Sequence, residues 1–294
     1  MRTLLLALIV AALGVAPGAA ANPNDLPALA YAGDGGGSLD VYVLPSGAAE
    51  PRRLTTTTLD EFSPSWSPGG LSVAYRVNPR RSDAGDIWVM RADGRGKRNL
   101  TRSPRVAEWS PAWSPDGRRI AYYSSLGMDV WVMRADGTRR RNLTRRAGLD
   151  EYPSWSPDGR RLAFGSHRDG QFEIYAMRAD GSRQANLTRN AADDQWPAWS
   201  PDGQMIAFMS EREGSPDVFV MEPDGSNQRN LAGTPDLEES HPAWLPDGRL
   251  TFTRHGETGP IEVWAVGADG RGAERLDLAV EPVFVYAWKP APPG

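Results

Sequence analysis

A short phrase built around tryptophan returns five times along the chain, which limits the chain to a repeat architecture. It reads Ser63-Pro64-Ser65-Trp66-Ser67-Pro68-Gly69-Gly70 at its first occurrence and Ser110-Pro111-Ala112-Trp113-Ser114-Pro115-Asp116-Gly117 at its second. It then recurs around Trp155, Trp199 and Trp244. Successive tryptophans stand 47, 42, 44 and 45 residues apart, and Trp288 follows Trp244 by 44. Self-similarity at this period means one supersecondary unit repeated, with its apolar faces buried against its neighbours.

Each unit divides into four short strands. The segment ending in Trp is strand a. Ser-Pro-Asp-Gly is a turn, because Pro fixes φ, Asp bonds its own backbone and Gly accepts positive φ. Strand b follows with apolar alternation, as in Ile120-Ala121-Tyr122-Tyr123 and Leu162-Ala163-Phe164. Strand c is the run Asp86-Ile87-Trp88-Val89-Met90 and its four counterparts. A second Asp-Gly turn leads to strand d, such as Asn99-Leu100-Thr101. Four strands in about 45 residues is the period of a β-propeller blade.

The two ends supply one more blade between them. Leu29-Ala30-Tyr31, Asp40 to Leu44 and Arg53-Leu54-Thr55 match strands b, c and d with no strand a. Val283 to Trp288 matches a strand a with nothing after it. The sequence therefore predicts an all-β, six-bladed propeller over residues 22–294, with four antiparallel strands per blade. The C-terminal strand is expected to pair with the N-terminal strands and close the ring, which leaves no open sheet edge.

Ahead of the propeller, Met1-Arg2-Thr3 is positive, Leu4 to Val15 is apolar and Ala19-Ala20-Ala21 supplies small residues, the pattern of a cleavable leader over 1–21. The apolar run is shorter than the roughly 20 residues a spanning helix needs. The chain has no cysteine, so it has no disulfide framework, no thiolate site and no lipid anchor on a mature N-terminus. A periplasmic or secreted protein is expected. Its formal charge is −4, and loss of Arg2 with the leader makes it −5. That balance disfavours a sequence-independent nucleic-acid binder.

The Pro-x-Trp-Ser-Pro-Asp-Gly phrase, followed by segments like Ile-Ala-Phe, Asp-Ile-Trp-Val-Met and Asn-Leu-Thr, resembles the repeat of TolB-type propellers over about residues 28–288. The resemblance implies six blades and an envelope protein that binds protein partners through its propeller. The α/β domain that precedes the propeller in TolB has no counterpart in Asn22 to Ala28. Similar repeats occur in prolyl oligopeptidases, whose catalytic machinery lies on a separate hydrolase domain. No Gly-x-Ser-x-Gly nucleophile elbow occurs here.

Candidate site residues follow from the repeat. Strand a lines the channel, and the b–c and d–a connections share one face. Five residues before each Trp stand Glu61, Glu108, Asp150, Asp194 and Glu239, with Val283 in the sixth blade. Three or four residues before it stand Phe62, Trp109, Tyr152, Trp196, His241 and Phe284. Acids beside aromatics at a channel mouth suit a cationic group, a basic peptide or a metal ion. Equally, recurrence in nearly every blade suits acids that hold blades together and aromatics that pack between them. The acid opening strand c is expected to bond locally. Asn-Leu-Thr at 99–101, 142–144 and 186–188 is read as a repeated strand and not as a glycosylation signal. His167, His241 and His255 show no ligand spacing, and no cofactor is expected; calcium suits the acids but has no motif behind it. A monomer that binds a protein or peptide is the first reading. The alternative is a small-molecule hydrolase or lyase with a metal in the channel.

Overall fold

A computed structural model describes residues 7–11, 26–79, 84–146, 148–234, 237–256, 259–278 and 284–285. Six sheets form the six blades of a propeller, five of them wholly antiparallel, and no helix occurs among the described residues. In the first blade strands a to d are Asp60–Trp66, Ser72–Asn78, Asp86–Arg91 and Arg98–Asn99. The second blade runs Glu108–Trp113, Arg119–Ser124, Asp129–Arg134 and Arg141–Asn142. The third runs Asp150–Trp155, Arg161–Ser166, Glu173–Arg178 and Ala185–Asn186. Asp194–Trp199, Ile206–Ser210, Asp217–Met221 and Arg229–Asn230 form the fourth, and Glu238–Trp244, Leu250–His255, Glu262–Val266 and Glu274–Arg275 the fifth. Each sheet keeps the order a-b-c-d.

The sixth sheet differs from expectation in one strand. Ala28–Asp34, Leu39–Leu44 and Arg52–Arg53 are its strands b, c and d. The strand beside Ala28–Asp34 is Ala7–Ala11 of the leader, antiparallel, with Leu8 opposite Tyr31. Phe284–Val285 joins that sheet through the leader strand, parallel to it, with Ala7 opposite Phe284. The C-terminal strand thus reaches the sheet but does not pair with Ala28–Asp34. The physical reason is that Ala-Leu-Ile-Val-Ala satisfies the free backbone groups of that edge as well as Val283 to Trp288 would. Val283 and Trp288 themselves lie outside the described residues, as do residues 1–6 and 12–21 of the leader and residues 22–25 that follow it.

The hydrophobic core lies between blades, in six clusters. Trp66, Val73 and Tyr75 of the first blade pack on Val41, Val43 and Leu54 of the sixth. Trp155, Leu162 and Phe164 of the third pack on Val130, Val132 and Leu143 of the second. Ala243, Leu245 and Val263 of the fifth meet Leu29, Tyr31 and Leu44 of the sixth, which closes the ring. Strand b is buried on both faces, which explains its near-continuous apolar run.

The turns are fixed by their neighbours. Ser114 donates its hydroxyl to Asp116 at 2.5 Å, and its oxygen accepts the Arg119 N–H at 2.9 Å. Gly137 has φ 87°, and a Cβ there would sit 2.7 Å from the Leu100 carbonyl oxygen of the preceding blade. The Asn-Leu-Thr repeat is a clamp. Thr101 Oγ1 accepts the Ile87 N–H at 3.0 Å and donates to Asp86, while Asn99 donates to the same carboxylate at 2.8 Å. Thr144 and Asn142 repeat this on Val130 and Asp129. The acid opening strand c is therefore a local structural partner.

Candidate functional site

Every whole blade has a β-bulge in strand a, and the bulge decides which side chains reach the channel. The ladder between strands a and b shifts register between Phe62 and Ser65, Glu151 and Ser154, Gln195 and Ala198, and Ser240 and Ala243, with the matching shift in the second blade. The bulged residue precedes Pro64, Pro111, Pro153, Pro197 or Pro242. Proline has no N–H to give a ladder, so it suits a bulge. Ser63, Ser110, Tyr152, Trp196 and His241 all have φ between 49° and 55°, the left-handed region. For Tyr and Trp that conformation costs on the order of 1–3 kcal/mol, and such strain collects where a side chain is being aimed.

A cavity of about 170 Å³ fills the channel, lined by these bulged residues, the prolines and the repeated tryptophans. In the first and second blades the bulge carries serine. In the third, fourth and fifth it carries rings that form one wall. Tyr152 meets Trp196 edge-on at 5.8 Å, and Trp196 stacks on His241 at 4.0 Å and 23°. His241 Nδ1 lies 2.8 Å from Ser240 Oγ, and Ser240 Oγ lies 3.0 Å from Thr253 Oγ1. Burial pushes the His241 imidazole down to about 3, so it stays neutral. Burial also raises the Tyr152 phenol.

One residue earlier stand Phe62, Trp109, Glu151, Gln195 and Ser240, a separate column. Trp109 belongs to it and does not line the cavity. It packs on Tyr123 at 5.1 Å and a tilt of 38°, with the Arg76 guanidinium 4.1 Å from its ring and 4.8 Å from that of Phe62. Glu151 is the residue the sequence reading missed. Burial pushes its carboxyl up to about 7, beside the Tyr123 and Tyr152 phenols. Lining up the five repeats on Trp without gaps separates the two columns and would have found it.

The five acids sit one place earlier still and are buried: Glu61, Glu108, Asp150, Asp194 and Glu239 are all at most 3% exposed. They hold the scaffold. Arg168 chelates Asp150 at 2.9 and 2.8 Å and also donates to Gln184. Arg212 repeats this on Asp194 and Gln228. Arg254 bonds Glu239 at 3.0 Å. Thr57 donates to Glu61 at 2.6 Å. Burial pushes Glu61 and Glu108 up to about 7, and burial together with Asp217 pushes Glu239 to about 8. Among the described residues no three His, Asp or Glu side chains cluster as metal ligands. His167 packs on Phe172, and His255 lies 3.2 Å from Glu238, close enough to His241 to lower its imidazole a little further.

The family model of the TolB beta propeller domain matches residues 77–281. The chain belongs to that family. A solved structure described as a putative TolB from Agrobacterium tumefaciens superposes with a TM-score of 0.69 at 21% identity, covering 82% of this chain and 90% of that one. TolB from Acinetobacter baumannii gives 0.72 at 20% identity, with 86% and 63% covered. A puromycin-hydrolyzing peptidase from Mycobacterium tuberculosis gives 0.67 at 18%, over 94% of this chain but 46% of the peptidase. At these identities the likeness is one of fold. A search of curated protein sequences returned no match.

Proposed function

We propose that this TolB-family propeller is a non-catalytic binding module of the cell envelope, and that its partner is a protein or peptide seated in the channel on the Tyr152–Trp196–His241 wall. One observation carries the reading: three successive blades hold a ring in the strained bulge where the first two hold serine. The wall is apolar and asymmetric, which gives a partner one preferred orientation. Aromatic rings give large contact area at small entropic cost, and Trp and Tyr are over-represented among residues that dominate binding. The five buried acids position the strands from which the rings project and do not themselves touch the partner. The reading is tested by capture from envelope extract on immobilised protein, comparing the native chain with Trp196→Ala and with Trp109→Ala. A specific prey lost with Trp196→Ala and kept with Trp109→Ala supports it. Equal capture by all three refutes it.

A further inference from the structure

The a–b and c–d turns share the other face of the ring, and its charge is one-sided. The turns of the first three blades (67–72, 91–99, 114–119, 134–142, 156–161 and 178–186) carry fourteen Arg and Lys against five Asp and Glu, while those of the fourth and fifth (200–205, 222–230, 245–250 and 267–275) carry four against six. The bias follows repeat positions. Strand c ends in Arg91, Arg134 and Arg178 in the first three blades, and Glu222, just past Met221, takes that repeat position in the fourth. Each a–b turn is tied to the c–d turn of its own blade, by Ala92 N to Leu71 O, Ala135 N to Arg118 O and Ala179 N to Arg160 O, all at 2.9 Å. The a–b turns of neighbouring blades also lie side by side, since a Cβ at Gly117 would sit 3.8 Å from Pro68 and one at Gly159 3.7 Å from Pro115. The cations of three blades therefore form one continuous surface. Arg95, Arg118, Arg134, Arg160 and Arg178 are exposed. Among the described residues the only ion pair formed by a cation between 91 and 146 is Arg91 with Asp93, at 4.0 Å. At the edge of this surface Leu71 occupies the tip position that Arg118 and Arg160 hold in the next blades, and it is 77% exposed.

We infer that the turn face of the first three blades docks on an anionic phospholipid bilayer, with Leu71 entering the interface. The cations are spread over a broad face of short turns and not gathered in a cleft, which suits a plane of headgroups better than one acidic segment. An exposed leucine among arginines suits an apolar boundary behind the charge. The fourth blade turns Glu222 outward where the first three hold arginine, so the ring would rest with one side on the membrane. The channel wall is left free for its partner, and this inference stands or falls separately from that reading.

The test is co-sedimentation of the full chain with phosphatidylcholine vesicles, alone or with phosphatidylglycerol at three parts in ten. Binding driven by the apolar leader would show on both vesicle types. We expect binding to the anionic vesicles only, lost in 0.5 M salt. Arg118→Glu with Arg160→Glu should weaken it at least tenfold, while Arg105→Glu with Arg271→Glu, the same charge change elsewhere, changes it less than twofold. Leu71→Ser should weaken it several-fold at unchanged charge. All variants are first checked for unaltered melting. Equal binding to both vesicle types, equal loss in the two double variants, or binding to duplex DNA or polyaspartate in place of vesicles would overturn the inference.

Discussion

Replacing Glu108 by glutamine should stabilise the protein near and above neutral pH. The carboxyl is 3% exposed at the junction of the first and second blades, facing Asp86 of the preceding blade. Its Oε2 has no hydrogen-bond partner among the described residues. Burial pushes it from 4.5 up to about 7. The folded state thus binds the proton more tightly than the unfolded state does. The stability this group gives is fully present below about pH 4.5 and is lost as pH rises through about 7. At about 1.4 kcal/mol per tenfold change, the full loss would be about 3 kcal/mol, and relaxation around a charged carboxylate reduces it to about 1.5–3. Glutamine copies the protonated form and does not titrate. Urea unfolding at pH 4.5 and 8.5 reads the difference. The native protein should lose stability between the two, and Glu108→Gln should lose about 1.5–3 kcal/mol less. At pH 4.5 the two should agree within about 1 kcal/mol. A variant destabilised equally at both values would show that the carboxylate is charged and required, and the reasoning would fail.

Asp150→Asn should act in the opposite sense, because Arg168 is left buried with half its partner; a loss of about 3–5 kcal/mol at pH 7 is expected by denaturant unfolding. Thr101→Val removes the acceptor of the Ile87 N–H and should cost about 1–3 kcal/mol in the same assay. Gly181→Ala places a Cβ 2.6 Å from the Leu143 carbonyl oxygen at a φ of 83°, so its melting temperature should fall by several degrees, whereas Gly170→Ala, with open space around it, should fall less.

Blade number, strand order and turn chemistry were legible because the repeat states them five times. The acids were legible as a column, but burial chose between their two readings. Asp150 and Asp194 became scaffold once Arg168 and Arg212 were seen to reach them from b–c connections 18 residues away. The aromatics read as one group fall into two columns, because Trp109 and Tyr152 occupy adjacent positions of the bulge, and one residue of offset turns a side chain from the blade to the channel. Sequence alternation carries no mark of a bulge except the proline after it. The leader strand was also not foreseen: an apolar run fits a signal segment and a sheet edge equally well.

Because every cluster of buried side chains is owned jointly by two blades, no blade is a folding unit. A single blade lifted out would expose one flank of two clusters and keep none intact. Damage at one junction is therefore felt on both sides of it, and the ring should lose its structure as a whole. The same ownership sets what variation the fold tolerates. Length can change in the loops, which no cluster needs, as the unequal b–c connections already show. A whole repeat can be neither dropped nor doubled without reshaping all six junctions at once.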